Sequence, residues 1–272
     1  MNGNIFALNI PYSSSKLFYE FIKDEDQISY IFYKKLDDPE DISKLDELKS
    51  KITITQFLKH YESKIILAKL VRNIKLIVSK YSGNYEKRCR DVNHWINEEM
   101  SKYESKNLSE NISGSVTGVF NDIKWKKGDQ DVRVCERVPN VYHHKAEAIM
   151  KKLDDYCESR DNLRCDIFKN NEECLRYNRY IKRNREYFSS QLHTICNTYG
   201  CKINGYKIDD TCSLDKMDVT FREINCEALY KKEELQKPLS IVKERSSVEI
   251  GFFIVVSLIL FYFFITFLDK VS

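Results

Sequence analysis

The sequence predicts a mainly α protein: a cysteine-bearing helical domain with one disulfide-held irregular segment, followed by a single C-terminal transmembrane helix. Three observations carry this prediction. Leu, Ile, Lys and Glu recur every three or four residues over long stretches; glycine and proline number only 8 and 4 in 272 residues; and residues 250–268 hold no charged side chain.

The segment from Ile250 to Leu268 is 19 residues long, which as a helix reaches roughly 28 Å, close to the hydrocarbon thickness of a bilayer. Only Ser257, Tyr262 and Thr266 interrupt it with polar atoms, and Glu249 and Asp269 bracket it. A buried core helix in so amphipathic a chain would show a polar face, and this one shows none. The lipid bilayer is therefore the first partner the sequence predicts. The resulting organisation is a helical cysteine-containing domain at 1–236, a charged stalk at 237–249, the span at 250–268 and a short tail at 269–272. Met1 to Ser15 lacks a basic region followed by a long apolar stretch, so no cleavable signal is visible there.

Orientation is contested by two signals. Lys231, Lys232, Lys237, Lys243 and Arg245 precede the span and only Lys270 follows it, which by the positive-inside tendency places the large domain in the cytosol. The cysteines oppose this. There are nine: Cys89, Cys135, Cys157, Cys165, Cys174, Cys196, Cys201, Cys212 and Cys226. Their density after Cys157 predicts a disulfide framework, and hence an oxidising compartment, with one thiol left over. Spacing alone does not fix connectivity. A zinc site from His193, Cys196, Cys201 and Cys212 is the competing reading, weakened by the absence of paired C-x2-C knuckles.

Along the chain, three serines at Ser13–Ser15 suit the start of a first helix carrying Leu17, Phe18, Phe21 and Ile22. Asp41 to Tyr81 reads as two helices or one bent helix with apolar Leu45, Leu48, Ile52, Leu58, Ile65, Ile66, Leu70, Ile74, Ile77 and Val78, doubtful at the β-branched Ile52–Thr55. Ser82-Gly83-Asn84 breaks the pattern, and a helix from about Glu86 to Tyr103 follows with Val92, Trp95, Ile96 and Met100 inward. Asn107 to Gly118 reads as a loop with sequons at Asn107 and Asn111. Pro139 is expected to open a helix with Ala146, Ile149, Met150, Leu153 and Tyr156 buried, joined through a turn at Asp161–Asn171 to a helix from Glu172 to about Ile195. Cys157 and Cys174 flank that turn, which invites a bridge between them. Cys196 to Cys226 reads as the irregular segment, with Asn204-Gly205 as a turn, before a short helix at Ala228–Gln236.

Charge excludes some functions. The 44 basic and 41 acidic side chains nearly cancel to +3 and are interspersed, unlike the one-sided basic face of a nucleic-acid binder. There is no phosphate-cradling glycine loop, nucleophile elbow or paired-His metalloprotease helix. The rings of adjacent His143 and His144 diverge by about 100° on a helix and do not share a metal. The carboxylates sit among lysines at i,i+4 spacing, which reads as solvent-facing helix. No catalytic residue, cofactor or metal is predicted.

Particular residues say more. Cys89-Arg90-Asp91-Val92-Asn93-His94-Trp95-Ile96 resembles the Cys-x-x-Leu-Asn-Tyr-Trp-Leu element of the Plasmodium interspersed repeat proteins, especially their vir-like branch. Leu153-Asp154-Asp155-Tyr156-Cys157-Glu158-Ser159-Arg160-Asp161 is similar to the Leu-Tyr-Asp-Tyr-Cys-Glu-x-Arg-Asp segment of that family. Cys174, Cys196, Cys201, Cys212 and Cys226 then follow in an order like its closing cysteine series. His94 stands where that family usually has Tyr, Val92 and Ile96 where it has Leu, and Cys165 looks additional, which would account for the odd count. The resemblance implies Asn93, Trp95, Leu153, Tyr156, Arg160 and Asp161 as motif residues. It also implies a helical ectodomain of a variant surface antigen, displayed on or exported into the infected host cell and acting in host–parasite interaction and antigenic variation, without catalytic activity.

Host receptors or antibodies are the partners so implied, with Asn107–Gly118 and Asp161–Asn171 as the expected partner-facing segments. The alternative is a tail-anchored cytosolic adaptor or trafficking protein, consistent with the basic stalk.

Overall fold

The structure, a computed structural model, describes residues 22–106, 110–142, 146–199, 206–236 and 259–260. It divides into two compact units, Met1–Cys226 and Glu227–Ser272. The described part of the second is the helix ending at Gln236 and residues 259–260.

The described part of the first unit opens with a 3-10 turn (Asp24–Asp26), followed by α1 (Ile28–Lys35), a 3-10 segment (Ile42–Glu47) and the short α2 (Lys51–Thr55). Two 20-residue helices follow, α3 (Tyr61–Lys80) and α4 (Tyr85–Glu104), separated at the expected break by a 3-10 turn at Ser82–Asn84. Then come α5 (Ser113–Asp122), a hairpin of β1 (Lys124–Lys127) and β2 (Gln130–Arg133), and the helical pair α6 (Glu147–Leu163) and α7 (Asn171–Tyr199). A two-stranded ribbon, β3 (Lys207–Asp209) with β4 (Cys212–Ser213), α8 (Met217–Thr220) and α9 (Cys226–Gln236) complete the described elements.

The apolar spacing of α3 buries Ile66, Leu67, Leu70, Val71, Ile74 and Ile77 against Val92, Trp95 and Ile96 of α4 and Val116, Val119 and Phe120 of α5, in one continuous core. A second, aromatic cluster joins α6 to α7 and α8. Tyr156 stacks on Phe221 at 4.7 Å and on Tyr180 at 5.8 Å, with Phe188 beside them.

Chain ends that would leave backbone groups orphaned are tied by distant side chains. Arg72 donates to the carbonyls of Lys35, Leu36 and Asp38, at 3.0, 2.9 and 2.6 Å, and so finishes the C-terminus of α1. Glu110 does the converse at the N-terminus of α3, accepting from the amides of Lys59 and His60 at 2.9 and 3.3 Å and from the Tyr103 hydroxyl at 2.8 Å.

Several expectations are corrected. Asp41–Tyr81 is not two helices or one bent helix but three pieces, and Ile52 is exposed while Ile54 is buried. The loop expected through Gly118 gives way at Ser113 to α5, because burial of Val116, Val119 and Phe120 outweighs the poor helix propensity of a Ser/Gly/Thr stretch. Pro139 lies in irregular chain, and the next described helix begins at Glu147. The hairpin β1–β2, turning through Gly128 at a φ of 61°, carries too little apolar alternation to announce itself.

The first predicted helix, apart from Ile22, lies outside the described residues. So do the sequon at Asn107, His143, His144, Cys201, the Asn204-Gly205 turn, the stalk from Lys237, and the span from Ile250 to Leu268 except residues 259–260, which are helical. Among the described residues no helix is long and apolar enough to cross a membrane.

Gly118 allows a close approach: a Cβ there would sit 2.8 Å from Ile54 Cγ1, whereas one at Gly114 would meet nothing within 4 Å. Gly118→Leu is therefore expected to lower unfolding stability by about 2–3 kcal/mol through overpacking. Gly114→Ala should be neutral or raise stability by up to about 0.5 kcal/mol. Urea denaturation of the two variants against wild type reads the contrast, and equal effects would refute the α2–α5 packing.

Candidate functional site

The residues of the two sequence elements, Cys89–Ile96 on α4 and Leu153–Asp161 on α6, face each other across a buried ionic seam. Lys87, Arg88 and Asp91 are almost fully buried, as is Asp154. Lys87 pairs with Asp91 and with Asp155 at 2.7 Å. Arg88 pairs with Asp91 at 2.8 Å and with Glu158. Arg90 grips Asp154 in a fork, Nε and Nη2 each 2.8 Å from a carboxylate oxygen, and Lys151 adds contacts to Asp155 and Asp91. Four cations and four carboxylates meet here, so the seam closes neutral. The i,i+4 pairs Lys87/Asp91 and Lys151/Asp155, expected to face solvent, instead point inward. Spacing fixes that two residues share a helix face but not which way the face turns.

The titrations follow from this geometry. Burial by itself would raise the Asp154 carboxyl, but the Arg90 hydrogen bond and the charges of Lys87 and Arg90 outweigh it and hold the group below its usual range. Asp155 is likewise raised by burial and lowered further by Lys87 and Lys151. Burial pushes the Tyr142 hydroxyl up, reinforced by Asp154, to which it donates at 2.7 Å. Asp154 and Asp155 are both committed to cations.

Each sequence element also holds a strap of distant chain to its helix. On α4, Asn93 Nδ2 donates to the carbonyls of Cys89 and Glu136, both at 2.9 Å, and its Oδ1 accepts from the Val138 amide at 2.8 Å. Trp95 donates to Asp37 at 2.8 Å, tying the end of α1 to the same helix. On α6, Arg160 donates to the carbonyls of Thr211 and Thr220 at 2.8 and 3.0 Å while its Nε pairs with Asp161, and Tyr156 donates to Thr220 at 3.2 Å. Leu153 is fully buried.

Disulfides lie at the same places. Cys89 bonds Cys135, Cys157 bonds Cys212 and Cys174 bonds Cys226; Cys196 is disulfide-bonded as well, and Cys165 is free and exposed. The Cys157–Cys174 staple suggested by the hairpin turn is thus wrong: each of these cysteines reaches the strap that crosses its helix. The zinc reading also fails, because Cys196 and Cys212 are both oxidised. Among the described residues no group of three or more His, Cys, Asp or Glu could hold a metal.

Sequence reasoning missed Asn178. It stands four residues after Cys174, as Asn93 stands four after Cys89, and clasps Ile224 through both backbone groups, at 2.7 and 2.9 Å, beside Cys226. The repeated Cys-x-x-x-Asn spacing, one helical turn, was the available signal.

The family profile described as Plasmodium vivax Vir protein matches residues 27–250. The chain belongs to that family. No curated protein and no solved structure matches. The match takes in both sequence elements, and in this Vir family member Asn93, Tyr156 and Arg160 of those elements fasten the straps beside the seam.

Of the two segments expected to face a partner, 107–118 contributes the exposed Asn111, whose Oδ1 accepts from the Ser113 amide at 2.8 Å, and the buried Ile112. The other, 161–171, presents exposed Cys165 and Phe168. A groove of about 490 Å³ opens beside Cys89–Cys135. At its edge Lys127 lies 4.3 Å from the Tyr85 ring centre and 4.6 Å from that of Trp125.

Asp154→Asn, which leaves Arg90 and Lys87 short of a buried counter-charge, is expected to cost about 3–5 kcal/mol. Because the folded-state pKa values of Asp154 and Asp155 lie below the unfolded value of about 4, their contribution is complete above that pH and lost as pH falls through the folded values. Thermal melts should hold steady from neutrality to about pH 5 and fall below about pH 4. A wild-type melting temperature that does not drop in acid would refute the seam.

Proposed function

We propose that this Vir family member is a non-enzymatic variant surface antigen, held in the membrane by residues 250–268 with its helical domain in an oxidising, host-facing compartment. One observation carries the reading: three motif residues and Asn178 hold the straps by backbone. Asn93, Arg160, Tyr156 and Asn178 all bond to carbonyls or amides. Every residue type but proline offers both groups, so strap side chains can change without loosening the hold. The hairpin shows the latitude, since all eight of its strand residues are exposed except the half-buried Trp125. This is the architecture an antigen needs: a fixed frame and a replaceable surface. Its partners are host receptors or antibodies.

The disulfides support the compartment, because a reducing cytosol does not maintain them, and they outweigh the basic stalk as a guide to topology. The positive-inside bias counts short flanking loops and is overridden when a folded domain is translocated.

Two measurements test this. Alkylation of the native protein in intact cells, followed by peptide mapping without reduction, should label Cys165 and leave Cys89, Cys135, Cys157, Cys174, Cys196, Cys212 and Cys226 unlabelled. General labelling of these seven would place the domain in a reducing compartment and overturn the reading. Replacing Lys124, Lys126, Asp131 and Arg133 together by serine should change the melting temperature by less than about 3 °C while abolishing antibodies raised against the hairpin in unpermeabilised cells. Failure of those antibodies to reach the wild-type protein would refute surface display.

A further inference from the structure

A cleft at the end of α6 includes none of the seam residues in its lining. It measures about 410 Å³ and lies between the end of α6, the first turns of α7 and the straps, lined by Arg160, Arg164, Arg222, Tyr177, Asp161 and Thr211, with Val219 and Ile224 as an apolar wall. The bridges Cys157–Cys212 and Cys174–Cys226 fasten both of its sides, so its shape is fixed without a ligand.

Its charge is unbalanced. Three guanidinium groups face one carboxylate, Asp161, and that carboxylate is engaged by Arg160 Nε at 2.8 Å. Arg160 spends its remaining reach on the strap carbonyls. Arg164 and Arg222 have no ion pair or side-chain hydrogen bond among the described residues, unlike the committed cations of the seam. A second observation points the same way. Tyr177 is 4% exposed and lines the cleft, yet its hydroxyl makes no hydrogen bond among the described residues. Burial raises its pKa and the charges of Arg160 and Arg164 oppose that rise, which places both cations close to it. A hydroxyl open to the cleft with no protein acceptor, and two exposed guanidinium groups on the same cleft with no protein counter-charge among the described residues, together form a set of donors suited to an oxyanion.

We infer that this cleft binds a saccharide bearing a carboxylate or sulfate group, its anion held by Arg164, Arg222 and the Tyr177 hydroxyl. The volume lies in the range of small-ligand clefts, Val219 and Ile224 offer the apolar surface on which a sugar-ring face can rest, and guanidinium matches planar oxyanions by paired hydrogen bonds. The inference goes beyond the antigen reading and does not depend on how the surface varies.

The test is calorimetric titration of the full chain, purified in detergent with its disulfides intact, with glucuronic acid, glucose 6-sulfate, glucose and inorganic phosphate. At least one acidic sugar should bind saturably and more weakly as salt is raised; which of the two binds assigns the anion. Arg164→Gln combined with Arg222→Gln should weaken binding at least about tenfold and Tyr177→Phe about threefold. Lys169→Gln, on the same turn but outside the cleft, should leave it unchanged. An unaltered non-reducing peptide map shows that the variants are folded. The inference is overturned if neither acidic sugar binds, if glucose binds as tightly, if the double variant binds normally, or if inorganic phosphate binds as tightly as the sugars and so marks a plain anion site.

Discussion

The rest of the molecule depends on the charged contact between α4 and α6. An apolar interface gains area in any of several registers and tolerates a slide of one turn. A buried interface of four cations and four carboxylates does not, because each displaced ion loses its counter-charge in a medium that cannot solvate it, at a cost of about 3–5 kcal/mol. The seam therefore adds little net stability over an apolar replacement and instead fixes one alignment. On the same two helices Cys89 and Cys157 meet Cys135 and Cys212 at Cα separations of 5.4 and 6.1 Å, within the reach a disulfide requires. The bridges then restrict the unfolded chain, each contributing about 2–4 kcal/mol.

The straps are held on the same principle. Asn93 is on the turn after Cys89, Arg160 on the turn after Cys157 and Asn178 on the turn after Cys174, so each cysteine is paired with a polar side chain that clasps the incoming backbone on the same helix face. A disulfide alone pins one point of a chain and leaves it free to pivot. A second grip, about 6 Å further along the helix, removes the pivot and fixes the direction in which the strap leaves.

How much of this the sequence disclosed depends on which contacts are local. The break at Ser82–Asn84, the extent of α4 and the α6–α7 pair were legible because period and turn chemistry are properties of neighbours. Helix α5 was not, because its apolar residues Val116, Val119 and Phe120 are diluted by serine, glycine and threonine, and only the groove between α2 and α3 makes it a helix. The seam was visible as charge pairs and misread as surface: Lys87 and Asp91 at i,i+4 look alike whether they face water or α6. Asn93, Trp95, Tyr156 and Arg160 were identified by resemblance, but what they hold was not, since their acceptors lie 43 to 64 residues away or, for Trp95, 58 residues back. The bridges failed for the same reason, each spanning 46 to 55 residues rather than the short turn that proximity suggested.

Two kinds of contact constrain substitution differently. Side-chain-to-side-chain contacts couple two positions, so a change at one demands a matching change at the other. The seam is built this way and can vary only in concert. Side-chain-to-backbone contacts couple a position to a location in space, and the residue supplying the carbonyl is unconstrained. Thr211, Thr220, Glu136 and Ile224 are held by groups they would still possess after substitution, proline excepted at the amides that donate. The proposed antigen role is served by this arrangement, with the buried ionic pairs between α4 and α6 and the backbone clasps at their boundary. Arg164 and Arg222, bound to neither, are the basic side chains of the cleft that the frame leaves unused.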